Sequence, residues 1–309
     1  MFISIVIPLM NEEGNVAKLH QELKKVFKKN NFRGEFIFID DGSTDDTLKE
    51  LKKLKPIRII SFRKNFGQTA AMDAGIKESK GEVIVTMDGD LQNDPNDIPR
   101  LLAKMKEGFD VVSGWRKNRK DCFSKKFTSR GANWLRGILI KDGINDSGCS
   151  LKAYKKECFK DIDLYGEMHR FIPATLKIKG FKIGEIVVNH RLRVTGITKY
   201  NFKRTLKGFL DMLSVWFWRK FSSRPLHLFG FIGLISLFFG FGLLVWMFVE
   251  RAFLGASISS RVWPIIGIFL FFIGIQFLVF GLLADILIKI FYRVKDEQPY
   301  EIKEVEEKK

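Results

Sequence analysis

The sequence predicts an α/β fold with a mainly parallel, doubly wound sheet, followed by a helical membrane part. Three observations carry this. Short apolar runs rich in Ile, Val and Phe alternate with helix-like segments as far as Gly114. Carboxylates stand at the carboxyl ends of several of those runs, where open α/β sheets hold their ligands. Two long apolar runs fill much of the last third of the chain.

The elements follow in order. Phe2–Pro8 is a short apolar run rich in Ile and Val, as expected of a buried parallel strand. Asn11-Glu12-Glu13 opens a helix to about Lys29, with Val16, Leu19, Leu23, Val26 and Phe27 on one face. Glu35–Asp40 is the second strand, and Ser43 or Thr44 caps a helix through Leu54. Ile57–Phe62 is the third strand and Gln68–Ser79 a helix of small residues. Gly81 separates it from a strand that ends at Asp88. A helix over Asp94–Glu107 and a strand over Asp110–Gly114 complete the pattern.

The run Leu226–Val249 has no charged residue, and Val262–Ile288 has one, Asp285. Each exceeds the ~20 helical residues that cross a hydrocarbon core of about 30 Å. The net charge is +17, from 52 Lys and Arg against 35 Asp and Glu. Much of that excess flanks the apolar runs, so it is assigned to membrane lipids, not to nucleic acid. Lys203, Arg204, Lys207, Arg219, Lys220 and Arg224 precede the first run; Lys289, Arg293 and Lys295 follow the second. The connector carries only Glu250, Arg251 and Arg261. The positive-inside rule then places the α/β domain and both termini in the cytoplasm. Leu206, Phe209, Leu210, Leu213, Phe217 and Phe221 recur at helical spacing, which suits an interfacial helix in the headgroup plane or an ordinary packing helix. The expected organisation is therefore a catalytic domain over 1–200, an interfacial region over 201–224, a transmembrane hairpin over 225–290 and a charged tail over 291–309. Cys122, Cys149 and Cys158 have unrelated spacings and read as reduced thiols. Gly230, Gly233, Gly240, Gly242, Gly267, Gly274 and Gly281 permit close helix packing, within one chain or in a homo-oligomer.

The chemistry concentrates at Val83-Ile84-Val85-Thr86-Met87-Asp88-Gly89-Asp90-Leu91-Gln92. A strand that ends on two carboxylates and an amide offers hard oxygen ligands for Mg²⁺ or Mn²⁺. A divalent ion there holds a diphosphate and stabilises it as a leaving group. The competing reading of Asp-Gly as a hairpin turn lacks a following partner strand.

Several segments together are similar to the family 2 glycosyltransferases. These are Ile5–Glu12, Asp40-Asp41-Gly42-Ser43-Thr44-Asp45 and Asp88-Gly89-Asp90-Leu91-Gln92. Ser113-Gly114-Trp115-Arg116, Ser129-Arg130, Asp146-Ser147-Gly148-Cys149, His169–Pro173 and Arg193–Tyr200 resemble the polyprenyl-phosphate branch, which includes undecaprenyl-phosphate glucosyltransferases and dolichol-phosphate mannose synthases. The resemblance implies a GT-A fold, a nucleotide-sugar donor, a divalent cation and a polyprenyl phosphate acceptor. It implies that Pro8, Asn11 and Glu12 border the nucleotide and that Asp40 or Asp41 contacts base and ribose. Glu12 has a second reading, as a residue favouring a helix N-terminus. Asp88 either shares the metal with Asp90 and Gln92 or binds ribose or sugar. Arg116 and Arg130 would hold phosphate oxygens, through paired donors that stay charged. Arg193 and Lys199, around Thr195-Gly196, would close over the diphosphate, with Arg191 a weaker candidate. The amides near Asn65 and Gly67 are a further phosphate candidate.

The acceptor phosphate has its second pKa at about 6, so it arrives charged and needs little from a base. Asp146 is the best candidate for a base or an orienting group. The expectation is a metal-dependent, inverting transfer of a hexose to polyprenyl phosphate. Glucose from UDP-glucose comes first, with mannose from GDP-mannose or N-acetylglucosamine as alternatives. A processive polysaccharide synthase would carry a Gln-x-x-Arg-Trp motif, which this chain lacks. A membrane adaptor with a degenerate transferase domain is the non-enzymatic alternative.

Overall fold

The computed structural model describes residues 1–117, 143–160, 162, 164, 166–191, 210, 212–217, 220–221, 224–255 and 261–295. Arg130, Arg193, Lys199, Cys122 and the tail after Lys295 lie outside them. The chain divides into two compact units, Met1–Trp216 and Phe217–Lys309.

The first unit is a mixed, mostly parallel sheet with helices on both faces. Its strands are β1 (Phe2–Leu9), β2 (Arg33–Asp40), β3 (Arg58–Ser61), β4 (Val83–Thr86), β5 (Val111–Trp115), β6 (Lys152–Lys155) and β7 (Ile183–Val187). The helices are α1 (Val16–Lys29), α2 (Thr47–Leu51), α3 (Gln68–Lys77), α4 (Ile98–Met105) and α5 (Ile172–Ile178). The strand order is β3-β2-β1-β4-β6-β5-β7. All pairings are parallel except those of β6, which runs antiparallel to β4 and β5. Sequence patterning anticipates β1–β5 but not β6 or β7. Strand β6 lies between β4 and β5.

The sheet explains why β1 shows no alternation. Ile3, Ile5 and Ile7 pack with Leu19, Leu23 and Phe27 of α1 and with Leu101 and Leu102 of α4. Val6, pointing the other way, packs with Ile39 and with Ala71, Met72 and Ile76 of α3. Both faces are covered, so the strand is apolar throughout its centre except at Ser4, whose hydroxyl donates to Glu35 at 2.7 Å.

Several boundaries shift for local reasons. Helix α1 begins at Val16 and not at Asn11, because Asn11 adopts a left-handed φ of 57° and Glu12–Asn15 form a turn closed by Asn15 N–H to Glu12 O at 3.0 Å. Helix α2 begins at Thr47, and Ser43 does not cap it; the Ser43 hydroxyl accepts the Asn11 N–H at 3.0 Å. Strand β4 ends at Thr86, two residues before Asp88. Pro95–Asp97 forms a 3-10 turn ahead of α4.

Within the expected interfacial segment, residues 212–217 are helical. Met212 and Val215 pack with Phe171 and Ala174, whereas Leu210, on the predicted apolar stripe, is exposed. Met212 and Val215 thus pack within the α/β unit.

The second unit contains α6 (Pro225–Leu254) and α7 (Trp263–Lys295), both long and apolar enough to cross a membrane. At 1.5 Å per residue each exceeds the ~30 Å hydrocarbon thickness. They pack through glycine. A Cβ on Gly274 would lie 2.6 Å from Leu237 Cγ, and one on Gly240 2.6 Å from the Phe271 N. Gly242 instead faces open space. Glu250 and Arg261 form an ion pair across the connector, and Asp285 pairs with Lys289 at 2.7 Å.

Candidate active site

The expected metal residues share one tight turn after β4. The Asp88 N–H donates to Ser150 Oγ at 3.2 Å, and Asp88 Oδ1 accepts from Gln68 Nε2 at 2.7 Å. Asp90 Oδ1 accepts the Gln92 N–H at 3.1 Å. A Cβ on Gly89 would stand 2.1 Å from Leu9 Cδ2, so the turn presses on the end of β1 and excludes any side chain there. Among the described residues no three His, Cys, Asp or Glu side chains converge as a metal cage. Two carboxylates and an amide on one turn suit Mg²⁺ or Mn²⁺, which keep positions for phosphate oxygens and water.

Arg116 and Asp146 face each other side-on. Arg116 Nε and Nη2 donate to the two Asp146 oxygens at 2.7 and 3.0 Å, and the Arg116 N–H adds a bond at 3.3 Å. Both side chains are largely buried. Burial by itself would raise the Asp146 pKa, but the hydrogen bonds and charge of Arg116 outweigh it and hold the carboxyl below its usual value. Burial likewise opposes the Arg116 charge, and Asp146 reverses that to raise its pKa. Asp146 thus holds the Arg116 guanidinium in a fixed orientation. Glu185 fixes it from behind, accepting the N–H groups of Asn145 and Asp146 at 2.9 and 3.2 Å.

The other acidic candidates form a second group on the loops after β1 and β2. Asp40 is buried and accepts from Ser43 N–H at 3.1 Å and Ser61 Oγ at 3.3 Å. Asp41, also buried, accepts from Phe66 N–H at 2.7 Å, Gly67 N–H at 2.9 Å and Asn65 Nδ2 at 3.0 Å. The amides expected to face a phosphate are thus engaged by Asp41. Asn11 Oδ1 accepts the Thr44 N–H at 2.8 Å, tying the two loops together. Glu12 accepts from Asn15 Nδ2 at 2.7 Å in the turn before α1. Pro8 is buried within β1, in register with Ile39. The two groups meet through the 65–68 loop: Asp41 holds its start and Gln68 reaches Asp88.

Arg191 is committed elsewhere. Its guanidinium pairs with Glu22 at 2.7 Å and Asp94 at 2.9 Å, and its N–H donates to Gln92 O at 2.9 Å. This brings the chain beside the carboxylate turn just ahead of Arg193. His169 joins Thr69 through a 2.7 Å bond between Nδ1 and Oγ1. Cys149 and Cys158 are free and buried, and burial pushes their thiols up to about 11 and about 12.

Sequence reasoning missed three participants: Gln68, Ser150 and Lys152. Lys152 is buried, donates to Ser147 O at 3.1 Å, and feels the charges of Asp146, Arg116 and Asp88. One signal was available. Lys152 stands between Leu151 and Ala153-Tyr154, shortly after the Asp146–Cys149 motif, so it is flanked by apolar residues on both sides.

Comparison with known proteins agrees with this architecture. The glycosyl transferase family 2 model matches residues 4–163. Dodecaprenyl-phosphate galacturonate synthase of Rhizobium johnstonii is 38% identical over 98% of this chain and 92% of its own. Undecaprenyl-phosphate 4-deoxy-4-formamido-L-arabinose transferase of Proteus mirabilis is 32% identical over 98% and 93%. Glucosyl-3-phosphoglycerate synthase of Mycobacterium tuberculosis, solved with Mn²⁺, UDP and glucosyl-3-phosphoglycerate, superposes with a TM-score of 0.56 at 18% identity. That match covers 71% of this chain and 79% of the synthase, and identifies the fold as GT-A. The chain belongs to glycosyl transferase family 2, and both of these near full-length relatives are polyprenyl-phosphate sugar transferases.

Proposed function

We propose that this protein transfers a hexosyl group from a nucleoside diphosphate sugar, UDP-linked, to a polyprenyl phosphate at the cytoplasmic membrane face. The observation that carries the reading is the opposition of charges after β4. A turn with two carboxylates is linked through Ser150 and its loop to the buried Arg116–Asp146 pair. The near full-length relatives support the polyprenyl phosphate acceptor.

The residues divide the work. Asp88, Asp90 and Gln92 would hold Mg²⁺ or Mn²⁺, which supplies charge neutralisation to the departing diphosphate. Arg116, oriented by Asp146, offers a fixed guanidinium to phosphate oxygens. Arg130, Arg193 and Lys199 are proposed as further phosphate contacts, and the loops after β1 and β2 as the nucleotide's border. The acceptor phosphate is already anionic at neutral pH, so attack on the anomeric carbon needs no strong base and inverts its configuration. The depressed pKa of Asp146 accords with that.

The basic residues around α6 and α7 support cytoplasmic termini. The sugar is the finer question. Glucose is the expectation from the sequence, and the galacturonate-transferring relative puts a hexuronate beside it.

The test is transfer to undecaprenyl phosphate by the purified full chain, with UDP-glucose, UDP-galacturonate, UDP-N-acetylglucosamine and GDP-mannose, with and without Mn²⁺. One UDP-sugar is expected to give a lipid-linked product that EDTA abolishes. Asp90→Ala is expected to abolish transfer while membrane insertion persists. Full turnover by that variant would remove the metal assignment, and binding of no nucleotide sugar would return the adaptor reading.

A further inference from the structure

One row of side chains crosses the sheet beneath the Arg116–Asp146 pair. Val6, Thr86, Lys152, Ser113 and Glu185 are in-register neighbours on β1, β4, β6, β5 and β7, so they share a face. The row is apolar at Val6 and polar from Thr86 onward. Three of its polar members, Thr86, Lys152 and Glu185, reach up to a single loop. Thr86 Oγ1 donates to Ser150 O at 2.8 Å, Lys152 Nζ donates to Ser147 O at 3.1 Å, and Glu185 accepts the Asn145 and Asp146 N–H groups. That loop carries Asp146, which clamps Arg116, and Ser150, whose Oγ accepts the Asp88 N–H and an Asn93 Nδ2 donor at 2.7 Å. Both halves of the site therefore hang on it.

Lys152 stands at the centre of the row and is only 2% exposed. A buried ammonium is expensive, and one backbone carbonyl does not offset its desolvation. A methionine would fill the same space without that cost. What the lysine adds is a positive charge that acts on both Asp88 and Asp146.

We propose that Lys152 is a positioning residue of the transfer site: it holds the Ser147–Ser150 loop from beneath and so sets Arg116 and Asp88 in the geometry that receives the donor diphosphate. The proposal rests on the nucleotide-sugar reading above. The groups that act on the ammonium are Asp88, Asp146, Arg116 and Cys149. Asp146 is held down, Arg116 is held up, and Cys149 is pushed to about 11, whereas burial lowers Lys152 to about 8. It therefore loses its proton at lower pH than an exposed lysine does.

The experiment is calorimetric titration of the full chain in nanodiscs with UDP, and with GDP, in Mn²⁺. Lys152→Met is expected to weaken UDP binding at least about tenfold at pH 7, while Lys152→Arg stays within about threefold of wild type. Wild-type affinity is expected to fall as pH rises from 7 to 9 and that of Lys152→Arg to stay level; this comparison decides the matter if Lys152→Met does not fold. Wild-type affinity in Lys152→Met, or equal losses in both variants, overturns the positioning role, and a simultaneous loss in Asp90→Ala shows that the nucleotide site itself stands. A wild-type chain that binds neither nucleotide overturns the site reading and this proposal with it.

Discussion

Asp146→Asn tests the electrostatic core of the site most directly. The substitution keeps shape and volume, but only one side-chain oxygen remains for two guanidinium donors now at 2.7 and 3.0 Å. The new amide NH₂ confronts the other donor. The pair is largely buried, at 11% and 16% exposure, so water does not rescue the orphaned charge. Leaving a buried charged donor unpaired and weakening its neighbour costs about 3 kcal/mol. In a unit of this size that is a drop of about 6–12 °C in Tm. The pH dependence follows from the lowered pKa of Asp146. A carboxyl depressed in the folded state stabilises above its unfolded value of about 3.9, and that stability vanishes as pH falls through the folded value. Asparagine does not titrate. The gap in Tm between wild type and variant should therefore be full at pH 7 and close progressively below about pH 4. Thermal unfolding followed by near-ultraviolet circular dichroism at a fixed scan rate measures both. Asp46→Asn, which breaks an exposed pair with Lys49, is the control and should leave Tm unchanged. A Tm for Asp146→Asn within about 2 °C of wild type at pH 7, or a gap that persists unchanged at pH 3, would refute the argument.

Two further expectations follow from close approach. Gly89→Ala places a Cβ 2.1 Å from buried Leu9 and must displace the turn that holds Asp88 and Asp90; Mn²⁺-dependent UDP binding should be lost while far-ultraviolet dichroism stays native. Gly274→Leu drives a side chain into Leu237 of α6 and should shorten the thermal half-life of the detergent-solubilised protein. Gly242→Leu, facing open space, should leave that half-life as it is, and equal effects at the two sites would contradict this helix packing.

Much of this protein is legible in local pattern. Short runs rich in Ile and Val reveal β1 and β4 because both faces of those strands are covered. The spacing of Leu19, Leu23, Val26 and Phe27 reveals α1, and uninterrupted hydrophobicity reveals α6 and α7. Asp88 and Asp90 stand out because a strand end is where an α/β sheet exposes its backbone and gathers ligands. Each of these signals lies within about twenty residues of chain, the range over which helix and strand periodicities act.

The rest depends on which distant segments meet. Strand β6 is only Lys152–Lys155, and nothing in those four residues says that they insert antiparallel between β4 and β5. That insertion puts Lys152 in register with Thr86 and Ser113 and sets the loop that pairs Asp146 with Arg116 from thirty residues away. The engagement of the Phe66 and Gly67 amides by Asp41, and of the membrane glycines by the opposite helix, is of the same kind. Periodicity declares which face a residue turns inward. It carries no information about the partner waiting there, because pairing energy is gained only when loops have closed and charges have lost their water.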